Sequence, residues 1–252
     1  MIDIHSHIIN EIDDGSKSIE MTINMLKKAE QSGTTDIIAT PHFMRGRFEV
    51  EYKDVVKKVE ELREIAKENN IDINIYAGQE VYYSKNILDY YNDKMIGTIN
   101  NTKYMLIEFP MLDFNIDEVI NTIYELQIRG ITPIIAHPER YKLFIKKPSI
   151  INSLIKEGML FQLNAGSLTG SFGKDVKKTA TKYLENNIYS FIGSDGHRDR
   201  GRDTDTDMKE ALGILERNQR KAFIDNGRLM LENEDVNFKG SLVKEKKFLG
   251  IF

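Results

Sequence analysis

Five histidines, His5, His7, His42, His137 and His197, each fall at or just after the C-terminal end of a short apolar run. Acidic residues join them at the same level. Glu80 follows Tyr76-Ala77-Gly78, Glu108 closes Met105-Leu106-Ile107, and Asp195 follows Phe191-Ile192-Gly193-Ser194. Neutral imidazole and carboxylate together suit Zn, Mn or Fe, whereas all-oxygen sites suit Mg or Ca. In His5-Ser6-His7, strand alternation puts both imidazoles on one side, about 7 Å apart at the backbone and within reach of one ion. Asp195-Gly196-His197 has the same spacing, with a glycine that lets the backbone turn closely. Carboxylates can also bridge two metals about 3.5–4 Å apart, which makes a hydrolytic clamp.

Each element has an ordinary reading as well. A lone H-x-H is common strand chemistry, and an isolated Glu80 is a surface carboxylate. His42 in Thr40-Pro41-His42-Phe43 suits a loop, and His137 in Ala136-His137-Pro138-Glu139-Arg140 suits a strand cap. Asp13-Asp14-Gly15-Ser16 reads as a turn leading into a helix N-terminus. Glu108 lies between three apolar residues and Phe109-Pro110, so a buried, paired or liganded carboxylate is expected. Taken jointly, the ordinary readings require about eight independent coincidences at one end of a fold, and the pattern points to a metal site.

The elements that position these residues alternate. Strands are expected at Ile2–His5, Asp36–Thr40, Asn74–Gly78, Tyr104–Glu108, Thr132–Ala136, Leu160–Asn164 and Tyr189–Gly193. Helices are expected over Ser18–Gln31, Tyr52–Glu68 and Asn115–Arg129, then near Pro148–Glu157, Lys174–Asn186 and Asp205–Asn218. Seven strands separated by helices imply parallel pairing through right-handed crossovers. So many units favour a (β/α) barrel, with an open doubly wound sheet as the alternative. In a barrel the histidines and acids converge on the C-terminal rim.

The chain has 252 residues, no cysteine and a net charge of -4. The length fits one domain over 1–252. Absence of cysteine excludes disulfides, thiolate metal sites and cysteine-nucleophile phosphatase chemistry. The acidic balance argues against general affinity for nucleic acid. No basic-apolar leader and no run of about 18 apolar residues is present, so a cytoplasmic location without a transmembrane segment is expected. Lys244–Lys247 reads as a solvated charge run.

With these motifs placed, the chain resembles the polymerase and histidinol phosphatase (PHP) superfamily. More narrowly, it resembles the manganese-dependent bacterial protein-tyrosine phosphatases of capsule and exopolysaccharide synthesis. The matching segments are IDIHSHIINEIDDGS, IIATPHF, GQE, MLIEFP, IIAHPERY, FQLNAGS and FIGSDGHRDRGR. The resemblance implies a distorted (β/α)7 TIM-like barrel holding three divalent ions, Mn foremost with Fe, Zn or Mg as alternatives. It implies His5, His7, Glu80 and Asp195 on one ion, and Glu80, Glu108 and His137 on a second, with Glu80 bridging. Asp14, His42 and His197 would hold the third. Arg140 and Arg202 match the phosphate-contacting arginines, although Arg198 and Arg200 stand close to Arg202. The implied partner is a bacterial tyrosine kinase with a phosphotyrosine-rich tail.

The chemistry expected is phosphomonoester hydrolysis without a covalent enzyme intermediate, with a metal-bridging hydroxide attacking phosphorus in line. A phenolate leaving group, pKa about 10, leaves more readily than an alkoxide and leans less on a general acid. The loop Phe43-Met44-Arg45-Gly46-Arg47-Phe48 offers Arg45 and Arg47 to a phosphotyrosine ring and flanking acids, or is simply a solvated loop. The competing functions are a PHP phosphatase on a small metabolite such as histidinol phosphate, a nuclease-like PHP domain, and a non-catalytic metal-binding kinase regulator.

Overall fold

The structure, a computed structural model, describes residues 1–200 and 205–245. In chain order the elements are β1 (Ile2–Ser6), α1 (Ile19–Gln31), β2 (Asp36–Ala39), β3 (His42–Phe43), α2 (Tyr52–Glu68), β4 (Asn74–Ala77), β5 (Glu80–Tyr82) and α3 (Ile87–Asn92). Then follow β6 (Tyr104–Glu108), α4 (Ile116–Gln127), β7 (Thr132–Ile135), α5 (Lys142–Lys146), α6 (Ile151–Lys156), β8 (Leu160–Asn164) and α7 (Ala165–Thr169). The chain continues with α8 (Lys174–Glu185), β9 (Phe191–Gly193), α9 (Lys209–Ile214) and α10 (Arg217–Leu231). Among the described residues no helix is long and apolar enough to cross a membrane.

All strand pairs are parallel. A curled six-stranded sheet runs β3-β5-β6-β7-β8-β9, and a three-stranded sheet runs β1-β2-β4. Backbone bonds link the two. Asp195 N–H donates to His5 O at 2.8 Å, and His7 N–H donates to Gly196 O at 2.9 Å. The expected strands Asp36–Thr40 and Asn74–Gly78 end at Ala39 and Ala77, and each is followed, after a break, by a short strand that the sequence expectation did not include. The ladder passes from Gly78 N–H on Ala39 O (2.9 Å) to Glu80 N–H on Pro41 O (3.0 Å). The short strands that resume, β3 and β5, start at His42 and Glu80, so the break places two chemically competent side chains at the rim.

Alternation sorts the faces. On β6, Tyr104 and Leu106 join an inner cluster with Ile38, Ile134, Leu160 and Phe191, while Met105 and Ile107 pack outward with Ile135, Phe161 and the covering helices. Glu108 has the parity of Leu106, and Gln162 that of Leu160, so both face the inner side. Ser18 caps α1 by accepting from Met21 N–H, and Asn115 caps α4 by accepting from Asp117 and Glu118 N–H.

The expected helix over Asp205–Asn218 needs correction. Asp205 and Asp207 accept backbone N–H groups in turns, and helix begins only at Lys209. The chain leaves helical geometry at Leu215, and Glu216 with Gln219 forms a capping box that starts α10. This helix was absent from the sequence expectation because it buries only Phe223, Gly227 and Met230. Pro148–Ile150 is a 3-10 turn ahead of α6, and the short helices α3, α5 and α7 were also unexpected.

Close packing at the rim generates a stability prediction. A Cβ at Gly193 would lie 2.5 Å from His5 Cβ, whereas one at Gly213 meets nothing within 4 Å. Gly193→Ala should cost about 1–3 kcal/mol, and Gly213→Ala should be neutral or gain about 0.5–1 kcal/mol. Urea unfolding of both variants checks this; equal effects would contradict the packing described.

Candidate metal centre

Glu80 is the hub. Its Oε2 lies 2.9 Å from His42 Nδ1, 3.2 Å from His5 Nε2 and 3.3 Å from His7 Nε2, and its Oε1 lies 3.1 Å from His137 Nε2. The surface reading of Glu80 therefore fails, since the residue is 1% exposed. Asp195 Oδ1 lies 3.5 Å from His5 Nε2 and 3.4 Å from His7 Nε2. Asp14 Oδ1 is 3.4 Å from Nε2 of both His42 and His197. Glu108 lies 3.8 Å from His137 Nε2 and 3.9 Å from His42 Nδ1. All nine candidate ligands from the sequence thus lie in one cluster, eight of them on the ends or immediate extensions of β1, β3, β5, β6, β7 and β9, and Asp14 in the loop between β1 and α1.

Among the described residues, three groups within it have the proximity a metal ion requires: His5, His7, Glu80 and Asp195; His7, Asp14, His42 and His197; and His42, Glu80 and Glu108. The first coincides with an expected set. The second adds His7 to an expected set, and the third has His42 where His137 was expected.

Protonation shows what the cluster lacks. Burial pushes the Glu80 and Asp195 carboxyls up, but the surrounding imidazoles, with Arg140 beside Asp195, hold both well below the carboxylate range. His197, whose Nε2 lies 3.4 Å from Asp14 Oδ1, and His42 beside it bring Asp14 down to about 2 against the effect of partial burial. Burial, aided by the Glu80 and Asp195 charges, lifts Glu108 to about 9. Burial and the Arg140 charge lower His137 to about 4. Burial opposes protonation of His5 and His7, yet Glu80 and Asp195 around the first and Asp13 beside the second raise both.

Ring nitrogens and carboxylate oxygens therefore face one another across a buried gap that demands positive charge. Among the described residues, Glu80 Oε2, His42 Nδ1 and Asp14 Oδ1 find no hydrogen-bond partner. This donor set of imidazole nitrogen and carboxylate oxygen fits divalent transition ions.

Tautomers are fixed from behind. Asp13 Oδ2 accepts from His42 N–H at 3.0 Å and lies 2.7 Å from His7 Nδ1, so His7 keeps its proton on Nδ1 and turns Nε2 inward. Asp195 O lies 2.9 Å from His197 Nδ1, and a carbonyl only accepts, so His197 also presents Nε2. Sequence reasoning missed Asp13, as well as Gln162 and Asn164, whose amides reach His5 and Asp195. Their signal was the FQLNAGS match and the aspartate pair Asp13-Asp14. His137 (φ 29°) and Asp195 (φ 53°) hold backbone conformations that L side chains rarely adopt, strain of a kind found at functional sites.

The arginines divide. Arg140 donates to Asp195 Oδ2 at 2.5 Å and lies over the Phe172 ring at 4.3 Å. Arg47 reaches to 3.8 Å from Asp14 Oδ2 and covers Phe48, which stacks on His42. Arg45 turns to Glu49 and is absent from the cavity wall. Arg198 donates to the carbonyls of Asp14, Gly15 and His197. Arg202 lies outside the described residues. The cluster opens into a cavity of about 660 Å³, whose rim includes Met44, Tyr82, Pro110, Met111 and Leu112.

A curled parallel sheet with a buried imidazole–carboxylate cluster at its strand rim defines the class: an α/β chain whose clustered side chains could hold metal ions. Residues 1–236 match the model of the capsular polysaccharide synthesis CpsB/CapC family, and the chain belongs to that family. It is 36% identical, over the full length of both chains, to the putative tyrosine-protein phosphatase CapC of Staphylococcus aureus. It is 33% identical to the tyrosine-protein phosphatase YwqE of Bacillus subtilis, again over both full lengths. A crystal structure from work on YwqE and CpsB of Streptococcus pneumoniae, described as unique metal-dependent tyrosine phosphatases, superposes with a TM-score of 0.89. That match has 31% identity and covers 97% of this chain and 100% of the other.

The charges predict a pH response in chelator. Glu108 has a folded pKa of about 9 against an ordinary value near 4.3, so it withdraws stability as pH rises between those values. His5 and His7, raised in the fold, contribute stability below about pH 6.5 that is lost as pH rises through their folded values. Glu80 and Asp195, depressed in the fold, contribute stability above about pH 4 that is lost in acid. The metal-free Tm should therefore fall from pH 6 to pH 9, and excess Mn should reverse the fall. A flat Tm over that range in chelator would contradict this reading.

Proposed function

We propose that the chain is a metal-dependent protein-tyrosine phosphatase. Its substrate would be the phosphotyrosine-rich tail of a bacterial tyrosine kinase in capsule or exopolysaccharide synthesis. One observation carries the reading: Glu80 is buried among four imidazoles, with Asp195 against two of them, beneath an open cavity. The names of the family's relatives supply the substrate class. His5, His7, Glu80 and Asp195 would hold one ion, Glu80, Glu108 and His137 a second, and Asp14, His42 and His197 a third. The assignment of His137 is supported by its approach to Glu80 and Glu108. Mn is the favoured metal, with Fe, Zn and Mg as alternatives.

Bound there, divalent ions supply Lewis acidity and bring the pKa of water toward 7. The chain's own residues do the rest. Arg140 is a planar donor for phosphoryl oxygens, held against Phe172 and Asp195 until substrate arrives. Arg202 would be a second such donor. Met44, Tyr82, Met111 and Leu112 offer apolar area to an aryl ring, and Arg47 a positive charge to flanking acids. Arg45, paired with Glu49, would engage only after leaving that partner. A phenolate leaves more readily than an alkoxide, so the reaction leans less on a general acid.

The scaffold would be a distorted (β/α)7 barrel in one domain over 1–252. Counting β2 with β3 and β4 with β5 as single staves gives seven, and the His5–Asp195 and His7–Gly196 backbone bonds support closure. A cytoplasmic location, next to the kinase tail, belongs to the same reading.

The test is metal analysis with turnover of a phosphotyrosyl peptide and of histidinol phosphate. The peptide should be preferred, chelator should abolish turnover, and Arg140→Ala should lower kcat/KM about 100- to 1,000-fold. Preference for histidinol phosphate would overturn the substrate class. A metal-loaded protein inactive on every phosphomonoester would favour the regulator.

A further inference from the structure

Among the strands around the cluster, β8 brings neither imidazole nor carboxylate to the rim. It brings two amides, Gln162 and Asn164, both fully buried and both on the inner parity of the strand. Gln162 Oε1 lies 3.2 Å from the backbone N of His137 and 3.0 Å from His5 Nδ1. A backbone N–H can only donate, so the Gln162 atom facing it is the oxygen. The amide nitrogen agrees, since it donates to Leu163 O at 2.7 Å. The same oxygen can only accept from His5. The His5 proton therefore sits on Nδ1, and the Nε2 lone pair points at Glu80 Oε2, His7 Nε2 and Asp195 Oδ1, all within 3.5 Å.

We infer that Gln162 is a positioning residue for the metal centre, one carbonyl oxygen that sets the tautomer of His5 and holds the strained backbone of His137. The inference rests on the proposed metal-binding role of the cluster. His137 has φ 29° and starts the turn Pro138–Arg140, so its N–H anchors the conformation that presents both its own ring and Arg140. The amide is confined, because a Cβ at Gly193 would come 3.0 Å from Gln162 Nε2.

Asn164 follows the same logic on the neighbouring ligand. Its Oδ1 accepts from Gly166 N–H at 3.0 Å, which leaves Nδ2 to donate to Asp195 Oδ2 at 2.8 Å. The backing is asymmetric: His7 leans on the Asp13 carboxylate, His5 on a neutral amide. A carboxylate backing makes an imidazole a more basic ligand than an amide does.

The experiment uses the full chain loaded with diamagnetic zinc and labelled with 15N-histidine. His5 should bind through Nε2 and carry an Nδ1 proton in slow exchange with solvent. Gln162→Leu, which has no acceptor, should speed that exchange and weaken zinc binding about 10- to 100-fold by equilibrium dialysis. Gln162→Glu restores an acceptor and should recover most of the affinity. An unprotonated His5 Nδ1 in the wild type, wild-type affinity in Gln162→Leu, or no recovery in Gln162→Glu would overturn the inference. Should Gln162→Leu fail to fold, the wild-type spectrum and Gln162→Glu decide. A wild type that binds no zinc would instead sink the metal-binding role itself.

Discussion

The carboxylate of Glu80 is shut away from water with imidazole nitrogens on both of its oxygens. A buried charge is costly unless it is paired and hydrogen-bonded. Here the partners are themselves ring nitrogens, and further carboxylates crowd behind them. Such a cluster needs cations or protons at its centre. Protons only partly meet the need, because Glu108 stays neutral while Asp195 and Glu80 stay ionised. The rest of the architecture can be read as what is required to keep this assembly in register.

Register comes from backbone placement more than from side-chain packing. The ladder breaks after β2 and β4 and resumes with His42 opposite Glu80, which brings these two side chains together. Gly15 and Gly193 lie where a Cβ would strike His7 and His5. His137 and Asp195 hold left-handed backbone conformations where their side chains meet Glu80 and His5. Behind them, Asp13, Gln162 and Asn164 accept or donate so that the rings and carboxylates cannot turn away. These constraints act before any ion arrives, which limits the reorganisation that binding requires.

Much of this was legible in the sequence. The strands at Tyr104–Glu108 and Leu160–Asn164 have the bounds read from their apolar runs, and α2 spans Tyr52–Glu68 as its periodicity indicates. The convergence of the five histidines with Glu80, Glu108 and Asp195 was readable because each follows an apolar run. Asp14 was not readable in that way; Asp13-Asp14 looks like a turn, and only the family resemblance set Asp14 apart. The backing residues were invisible for another reason. Gln162 is a polar residue inside an apolar strand, and what it touches depends on two staves remote in sequence. The α10 helix escaped because its three buried positions, one of them glycine, make a weak apolar stripe. Asp205–Asn218 misled because acidic residues that begin turns resemble a helix first turn.

Family membership and geometry meet at the cavity. The relatives are named tyrosine-protein phosphatases, and this chain places a planar cation, Arg140, at the edge of its cluster and an apolar rim above it. The most direct measurement is anomalous X-ray scattering from crystals grown with Mn. The account predicts peaks within the Glu80 cluster, with His5, His7 and Asp195 around one of them. Peaks only at surface carboxylates, or a cluster that excludes Mn while its side chains keep the geometry described, would contradict it.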